Sequence, residues 1–446
     1  MTSLRRPGRA TLGRTVLVLV LTATVAAGGC GPRAQSSSEG APVGGTTITF
    51  SIFVSEEEKP AIQELLNRFE DTTKSDANLP ALARFRNQPE TRVELVTSLD
   101  AEALVSQLTQ PPSGGPTIHL FAQDNLALKP LVDASLVDDL SEVEIPEAVL
   151  PAMVPPEFDR RRLFLPFRPN VRLTYLHEAT AEQAGVRPPA TVDELLAAAV
   201  KLQSATGRPA VTLSLADGDP AAVTVSEWIV SYGGDPLVLN DAGSVAAFEV
   251  LQRMWNSGLL ARESLFGRFD TEVEYLSTGI AALAQNWSFT SAVLAKELRL
   301  DEFHVYAGWR GPHRAAHVIG GDVLGIPRGV SGRQRAAAVA LARFLMSREA
   351  QELLVQQNAW PSIRSDAYGG VPPAQRDTFA AIDEALESGW FRPSVSYWDD
   401  VTHQMNEAVN RIIVRQESVQ AVLDELHAEI ELAARRAGEP YPPGPS

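Results

Sequence analysis

Strands and helices alternate over the first part of the chain body, and this alternation limits the folds that the sequence can adopt. Five segments follow one another: a β-rich strand at 46–54, an amphipathic helix, a strand at 92–96, a second amphipathic helix and a strand at 117–121. Pro60 favours a start of the first helix near Lys59, because proline fits the first turn. Strand–helix–strand order is typical of parallel sheets in α/β domains. The sequence therefore predicts an α/β fold.

A second α/β segment begins near Val171. It contains a predicted strand at 171–176 and a helix at 192–202, where Thr191 and Glu194 have the spacing of a capping box. Further helices are predicted at 245–255, 335–346, 349–357 and 405–431. With 446 residues the chain exceeds one ordinary core and suggests two domains.

The first thirty residues have the pattern of a bacterial secretion signal. Basic arginines precede an apolar run from Val16 to Ala27, which is too short to span a bilayer but typical of a signal peptide. The run ends in Ala-Gly-Gly-Cys, which resembles a lipobox, and Cys30 is the only cysteine of the chain. We therefore expect a lipoprotein signal peptide at 1–30 with an acylated Cys30. An ordinary signal peptide with an incidental cysteine is the alternative. Residues 31–45, rich in Gly, Pro and Ser, are predicted to be a flexible tether.

The charge of the chain argues against several partners. Its 55 acidic and 39 basic side chains leave a net charge of −16. Nucleic acids require a basic face, and anionic lipid surfaces attract polybasic segments. The sequence therefore predicts no nucleic-acid partner and no membrane contact other than a lipid anchor.

The order of several motifs along the body resembles the family 1 extracellular solute-binding proteins, which include maltose- and trehalose-binding proteins. The resemblance covers nearly the whole mature chain. It rests on segments that include ITFSIFVSEEEKPAIQELLNRFE (48–70), FAQDNLALKPLVDASLVDDLSE (121–142), GIAALAQNWSF (279–289), GGDVLGIPRGV (320–330) and RPSVSYWDD (392–400). The sequence departs from the family pattern at Leu176-His177, where Tyr-Asn is usual, and at Val192, where tryptophan is usual.

The resemblance implies an α/β, two-lobed periplasmic-binding-protein fold with three inter-lobe crossings. We place the crossings near Asn170, Leu324 and Ser365. Lobe one would then consist of residues 46–169 and 325–365, and lobe two of residues 171–323 and 366–435. Two hinged lobes can close around a ligand.

The resemblance also implies a function. It predicts the substrate-binding subunit of an ABC importer, which takes up a di- or oligosaccharide and delivers it to the transmembrane permease subunits. We expect a monomer without a cofactor, held by its lipid anchor at the outer face of the bacterial cytoplasmic membrane.

Sugar sites combine flat aromatic rings with planar polar groups, and the family places such groups at strand ends. The resemblance points to Trp287 as a stacking platform and to Asp124, Asn125 and Asn170 as hydrogen-bonding groups. The alternatives are a core position for Trp287 and a helix cap at Asp124 and Asn125. Arg168 would contact the ligand or form an inter-lobe salt bridge. Further candidates, each with a structural alternative, are Tyr397, Trp398, Trp360, Asp322, Phe121, Ser55 and Glu56.

Other functions have weaker support in the sequence. His313 and His317 are four residues apart, but Gly311 and Pro312 favour a loop there, and we expect no metal site. A glycoside hydrolase needs two carboxylates that face one bond, and the adjacent Asp399 and Asp400 would diverge on a helix. Peptide, polyamine and oxyanion binding remain alternatives to sugar binding, and enzymatic activity is the less favoured one.

Overall fold

One connected sheet runs through the described part of the chain. The computed structural model describes residues 45–54, 58–74, 90–97, 101–110, 117–125, 128–297, 299–358 and 360–441. The predicted signal peptide, Cys30 and residues 31–44 of the predicted tether lie outside these residues. The described residues form one compact unit. The strands are β1 (Thr46–Ile52), β2 (Thr91–Val96), β3 (Leu120–Asp124), β4 (Leu165–His177), β5 (Val211–Thr212), β6 (Leu283–Trp287), β7 (Phe303–Tyr306), β8 (His317–Gly325) and β9 (Gly389–Phe391).

Helices cover the sheet and make up most of the second half of the chain. The α-helices are α1 (Lys59–Thr73), α2 (Ala101–Thr109), α3 (Leu128–Asp133), α4 (Glu178–Ala184), α5 (Val192–Thr206), α6 (Asp219–Ser231), α7 (Ala242–Asn256), α8 (Phe269–Thr278), α9 (Phe289–Lys296), α10 (Gly332–Leu345), α11 (Arg348–Asn358), α12 (Arg376–Glu387), α13 (Trp398–Ala408) and α14 (Val419–Ala437). Short 3-10 turns occur at Pro151–Met153, Arg262–Phe266, Leu300–Glu302 and Pro373–Gln375, and a π-helical turn at Val409–Val414.

The strand order is β2-β1-β3-β8-β4-β6-β5, with β7 beside β4 and β9 beside β8. Strands β2 and β3 both pair with β1 in parallel, as the strand–helix–strand order predicts. Strand β8 runs antiparallel to β3 and β4. We call β2, β1 and β3 the first half of the sheet, and β6, β5 and β7 the second half.

Strand β4 joins the two halves, and β8 lies between β3 and β4. Residues 165–171 of β4 pair with β8, whereas residues 172–176 pair with β6. The strand predicted at 171–176 therefore begins earlier, at Leu165. Pro166 and Pro169 concealed this part of the strand, because proline removes a donor from a sheet ladder. A register shift between Pro166 and Arg168 accommodates the irregularity.

Local sequence signals explain the helix limits near the sheet. Helix α1 begins at Lys59 with Pro60 in its first turn and buries Leu65, Leu66 and Phe69. At the start of α5, the Thr191 hydroxyl accepts a hydrogen bond from the Glu194 backbone N–H. Gly207, with a φ of 67°, ends this helix in the left-handed region.

Each half of the sheet has its own apolar core. The core of the first half contains Ile48, Phe50 and Leu65, packed with residues of α10 and α11. The core of the second half contains Leu195, Phe248, Leu251, Leu283, Met405, Ile412 and Leu423. A third cluster, with Val171, Tyr175 and Ile382, lies against β4 and α12.

The prediction of one long helix at 405–431 is wrong. The structure has α13, the π-helical turn and then α14, which begins at Val419. Gln416 lies in the break with a φ of 62°, and its side-chain oxygen accepts from Asn256 Nδ2 at 2.6 Å. Neither glycine nor proline occurs between 409 and 418, so the sequence lacks the residues that usually mark such a break.

Candidate functional site

Polar side chains from three adjacent strands meet where the two halves of the sheet join. Asp124 at the end of β3 is opposite Asp322 of β8, and Asp322 is opposite Arg168 of β4. Asn170 of β4 is opposite Gly320 of β8. Strand pairing therefore brings together four polar residues that the sequence analysis took from separate motifs.

Arg168 is held by two carboxylates and an aromatic ring. Its Nη2 lies 2.6 Å from Asp322 Oδ2, and its Nη1 lies 3.1 Å from Glu58 Oε1. The guanidinium carbon lies 4.2 Å from the ring centre of Trp360, a cation–π contact. Burial opposes the charge of Arg168, but Asp322 and Glu58 together raise its pKa. These partners favour a structural ion pair over a direct ligand contact.

Trp287 lies at the end of β6, packed against the crossing strand β8. Its ring centre is 5.5 Å from that of Phe269 in an edge-on arrangement, and the indole is only 6% exposed. A Cβ atom on Gly320 would lie 2.7 Å from Trp287 Cη2, so only glycine permits this approach. Trp390 packs against the same apolar cluster.

The two asparagines bind backbone and side-chain groups around this point. Asn170 Oδ1 accepts from Ser288 Oγ at 2.6 Å, which ties β4 to the residue after Trp287. Asn125 Nδ2 donates to the carbonyl of Ile319 at 3.4 Å. The buried Asn125 Oδ1 has no hydrogen-bond partner among the described residues.

A small cavity lies within this junction. Its volume is about 20 Å³, which is room for about one water molecule. It is lined by Asn125, Met153, Phe167, Arg168, Pro169, Gly320, Gly321, Asp322, Val323, Ile363 and Phe391. In this conformation the cavity is too small for a sugar ring.

The structure adds residues to the junction that the sequence analysis missed. Phe53 follows β1 and is 61% exposed, and Phe391 at the end of β9 is 37% exposed. The side chain of Arg392 is 2% exposed and lies between Asp124, at 3.6 Å, and Asp219, at 3.7 Å. The sequence signal was the aromatic pair 390–391 followed by an arginine. Its significance depends on the pairing of β9 with β8.

Four of the candidates that the sequence suggested lie in apolar cores. Phe121 is fully buried in the cluster that contains Leu131 of α3. Tyr397 and Trp398 are 2% and 5% exposed and pack in the core of the second half. Trp360 is 1% exposed and belongs to the core of the first half. Each of the four packs within a large core, whereas Trp287 lies in a separate small cluster with Val318 of β8, so we propose packing roles for these four.

Ser55 and Glu56, also predicted for the site, lie outside the described residues. The adjoining described residues are Phe53 and Val54 on one side and Glu58 on the other. The Phe53 carbonyl accepts from Arg168 Nη2 at 3.4 Å, so this end of β1 adjoins the polar junction.

A buried polar group lies behind Trp287 in the second half. Arg172 of β4 donates to Thr224 Oγ1 at 2.9 Å and to the Gln285 carbonyl at 2.8 Å. Glu227 of α6 accepts from Gln285 Nε2 and from the Val318 N–H. Burial raises the pKa of Glu227 to about 7, because Arg172 Nε lies 3.8 Å away and only partly offsets the loss of water.

Within the described ranges no group of three or more His, Cys, Asp or Glu side chains could hold a metal ion. No helix of this part of the chain is long and apolar enough to cross a membrane.

Comparisons with known proteins agree on the fold. The MalE3 protein of T. maritima, solved with maltose, is 18% identical, with a TM-score of 0.71 over 87% of this chain and 99% of that one. The cyclic α-maltosyl-1,6-maltose binding protein of Arthrobacter globiformis is 15% identical, with a TM-score of 0.72 over 88% and 100%. UgpB of Mycobacterium tuberculosis, solved with glycerophosphocholine, is 18% identical, with a TM-score of 0.71 over 88% and 100%.

These likenesses confirm the predicted α/β, two-lobed periplasmic-binding-protein fold. No curated protein matches the sequence. The family model described as bacterial extracellular solute-binding protein matches residues 81–380, which is more than half of the chain. The chain therefore belongs to the bacterial extracellular solute-binding protein family.

Proposed function

We propose that this protein captures a di- or oligosaccharide outside the cytoplasm and delivers it to the transmembrane subunits of an ABC importer. The observation that carries the sugar assignment is the junction of β3, β4, β6 and β8. There the rings of Trp287 and Phe391 lie near carboxylates, amides and guanidinium groups, and the exposed Phe53 adjoins them through its backbone. Sugars present apolar faces and a rim of hydroxyls, which such groups bind. The maltose and maltosyl-maltose named for two structural neighbours support the same class of ligand.

The proposed site contains Trp287, Asp124, Asn125 and Asn170, with Asp322 held by Arg168. Opening of the lobes would expose the Trp287 ring, and a sugar would then favour the closed arrangement. The cavity of about 20 Å³ supports this order of events, because a sugar can enter only after the lobes separate. A sugar-bound crystal structure in which none of these side chains contacts the sugar would refute the site.

We further propose the lobe limits of the sequence analysis: 46–169 with 325–365, and 171–323 with 366–435. The support is the division of β4, whose first residues pair with β8 and whose last residues pair with β6. Superposition of sugar-free and sugar-bound crystal structures would locate the hinge, and hinge residues far from 170, 324 and 365 would contradict these limits.

A thermal-shift screen tests the sugar assignment. The panel is glucose, maltose, trehalose, maltotriose and ribitol, with a tripeptide, spermidine and glycerol 3-phosphate as controls. A ligand at a concentration of about 100 times its Kd adds about 2.7 kcal/mol to the free energy of unfolding. At least one sugar should therefore raise Tm by several degrees. A rise with a control and with none of the sugars would replace the assignment. We also propose that the chain is a monomer and that it is a binding protein and not an enzyme. Sugar release from a chromogenic glycoside by the purified protein would contradict the second of these proposals.

We also propose that Cys30 carries a lipid that holds the protein at the outer face of the cytoplasmic membrane. The lipobox-like Ala-Gly-Gly-Cys after an apolar run supports this. Cell fractionation should find the full chain with the membrane and a Cys30→Ser variant in the soluble extracytoplasmic fraction. If the variant fractionates like the parent chain, Cys30 is not the anchor.

A further inference from the structure

Arg392 is a buried cation with unusually few partners. It follows β9, in the segment that joins this strand to α13, and the residue is only 5% exposed. No group among the described residues accepts a hydrogen bond from its Nε or its Nη1. Buried guanidinium groups normally have charge-assisted hydrogen bonds, because losing water without replacement is unfavourable. This side chain is therefore suited to receive further acceptor atoms.

Two carboxylates flank Arg392 at distances longer than a hydrogen bond. Asp124 Oδ1 lies 3.6 Å from its Nη2, and Asp219 Oδ1 lies 3.7 Å from its Nη1. Asp124 ends β3 in the first half, whereas Asp219 begins α6, which packs in the second half. The side chains of Asp124 and Asp219 are 42% and 63% exposed, so both are accessible from solvent.

This combination matches the chemistry of a hydroxyl group. A guanidinium only donates and a carboxylate only accepts, whereas a hydroxyl does both. A ligand hydroxyl beside each of these contacts would accept a hydrogen bond from Arg392 and donate one to the aspartate. The distance between the guanidinium and the carboxylate would have to increase modestly. Two neighbouring hydroxyls on one sugar ring would occupy both positions.

Charge at the junction decides against an anionic ligand. Among the described residues there, four carboxylates face two guanidinium groups: Glu58, Asp124, Asp219 and Asp322 against Arg168 and Arg392. A phosphate or carboxylate on the ligand that reached Arg392 would also lie close to Asp124 and Asp219, whose charges oppose it. A neutral polyhydroxylated ligand avoids this repulsion.

We propose that Arg392, Asp124 and Asp219 bind a pair of adjacent hydroxyls on a neutral sugar and select it over sugar phosphates and sugar acids. This inference rests on the proposed sugar-binding function. Because the two aspartates belong to different halves, the bound hydroxyl pair would also join the halves in the closed state.

Isothermal titration calorimetry tests the proposal with the sugar that gives the largest thermal shift. Arg392→Lys keeps the charge but loses the planar donors, and we expect it to lower the affinity at least tenfold. Asp219→Asn, at an exposed position, should lower the affinity about threefold or more. Arg411→Lys is the matched control, since Arg411 pairs with Glu417 and Glu425 near the C-terminus, and it should leave the affinity unchanged. Glycerol 3-phosphate should not bind the parent chain.

The outcomes separate this proposal from the function on which it rests. If no neutral sugar of the panel binds the parent chain, both fall. If a sugar binds the parent chain and both Arg392→Lys and Asp219→Asn with similar affinity, only the role of these residues falls. Tighter binding of glycerol 3-phosphate than of any sugar would make Arg392 part of an anion site and would overturn the proposal. If Arg392→Lys does not fold, the Asp219→Asn result decides.

Discussion

At the scale of single residues, the buried carboxyls of the second half predict how stability depends on pH. Burial raises the pKa of Glu227 to about 7 and that of Glu272 to about 8. Both values lie above the ordinary 4.5, so the folded state binds these protons more tightly than the unfolded chain. Their contribution to the free energy of unfolding is complete below about pH 4.5, decreases as the pH rises from there, and is lost once the pH has passed about 7 for Glu227 and about 8 for Glu272.

His317 has the opposite effect on the acidic side. Burial, together with the charge of Arg172, lowers its pKa from 6.5 to about 4. The unfolded chain therefore gains this proton first, and stability falls as the pH drops below about 6.5. As the pH rises from 4.5 to 6.5, the two carboxyls lower the stability more than His317 raises it, so these groups together predict a maximum in the free energy of unfolding at about pH 4, measurable by urea titration at several pH values.

The variant Glu272→Gln tests whether the buried carboxyl of Glu272 causes the loss of stability at higher pH. Glu272 Oε1 accepts from Thr212, and Oε2 has no partner among the described residues, so an amide can imitate the protonated acid. Between about pH 5 and 8 the parent chain should lose stability faster than this variant, by up to about 1.4 kcal/mol per pH unit. The exposed Glu429→Gln should follow the parent chain. Parallel curves for the parent chain and Glu272→Gln would contradict the shifted pKa.

The sequence predicted the residues of the junction unevenly. Asp124, Asn125, Asn170 and Trp287 could be proposed because they lie in motifs of the family, which places polar and aromatic groups at strand ends. Arg392 could not, because its position depends on the pairing of the short strand β9 with β8. Tyr397 and Trp398 are aromatic residues of the kind found in sugar sites, but both are buried in the core of the second half. Residue type alone does not reveal which side of a segment faces the core.

At the scale of elements, prediction succeeded where local signals agree and failed where tertiary contacts decide. Helix α5 has a capping threonine, apolar periodicity and a terminal glycine, and its start at Val192 was predicted correctly. The break before α14 depends on the positive φ of Gln416 and on its bond to Asn256 of α7, which periodicity cannot reveal. The early start of β4 was concealed by its prolines.

The crossing strands also show why glycine is required at one point of β8. Gly321 has a φ of 101°, and a Cβ there would lie 2.0 Å from the Arg168 carbonyl oxygen. The segment GGDVLGIPRGV contributed to the family resemblance, but the need for its second glycine in close packing became visible only with β4 beside it. Packing between strands distant in sequence is the information that local patterns lack.

At the scale of the whole molecule, a polar contact at the surface joins the two halves. Lys129 and Asp133 lie on α3, which packs with the first half, whereas Ser396 and Glu439 adjoin the core of the second half. Ser396 Oγ lies 2.7 Å from Asp133 Oδ2 and 2.5 Å from Glu439 Oε1. Lys129 Nζ lies 2.6 Å from Asp133 and 3.7 Å from Glu439. The lysine thus keeps two carboxylates of opposite halves together.

We expect Lys129→Met to shift the protein towards a more open arrangement. Without the lysine, Asp133 and Glu439 repel each other across Ser396. The radius of gyration from small-angle X-ray scattering of the sugar-free protein should increase. The sugar affinity should fall several-fold, because a smaller fraction of molecules is closed.

Arg68→Met is the control for this variant. Arg68 pairs with Glu64 within α1 at 2.8 Å, so its loss removes a surface ion pair that does not join the halves. Its radius of gyration and affinity should match those of the parent chain. Equal values for Lys129→Met and Arg68→Met would show that the contact at Ser396 has no influence on closure.

The central strands β4 and β8 have a practical consequence for protein engineering. Because β8 pairs with β3 and β4, and β4 also pairs with β6, a single cut of the polypeptide leaves at least one fragment with an incomplete sheet. A fluorescent reporter inserted to detect solute uptake should therefore interrupt an outer helix connection and leave both strands intact. In a two-fragment reporter built from this scaffold, the chain should not be divided at the boundary between the two halves.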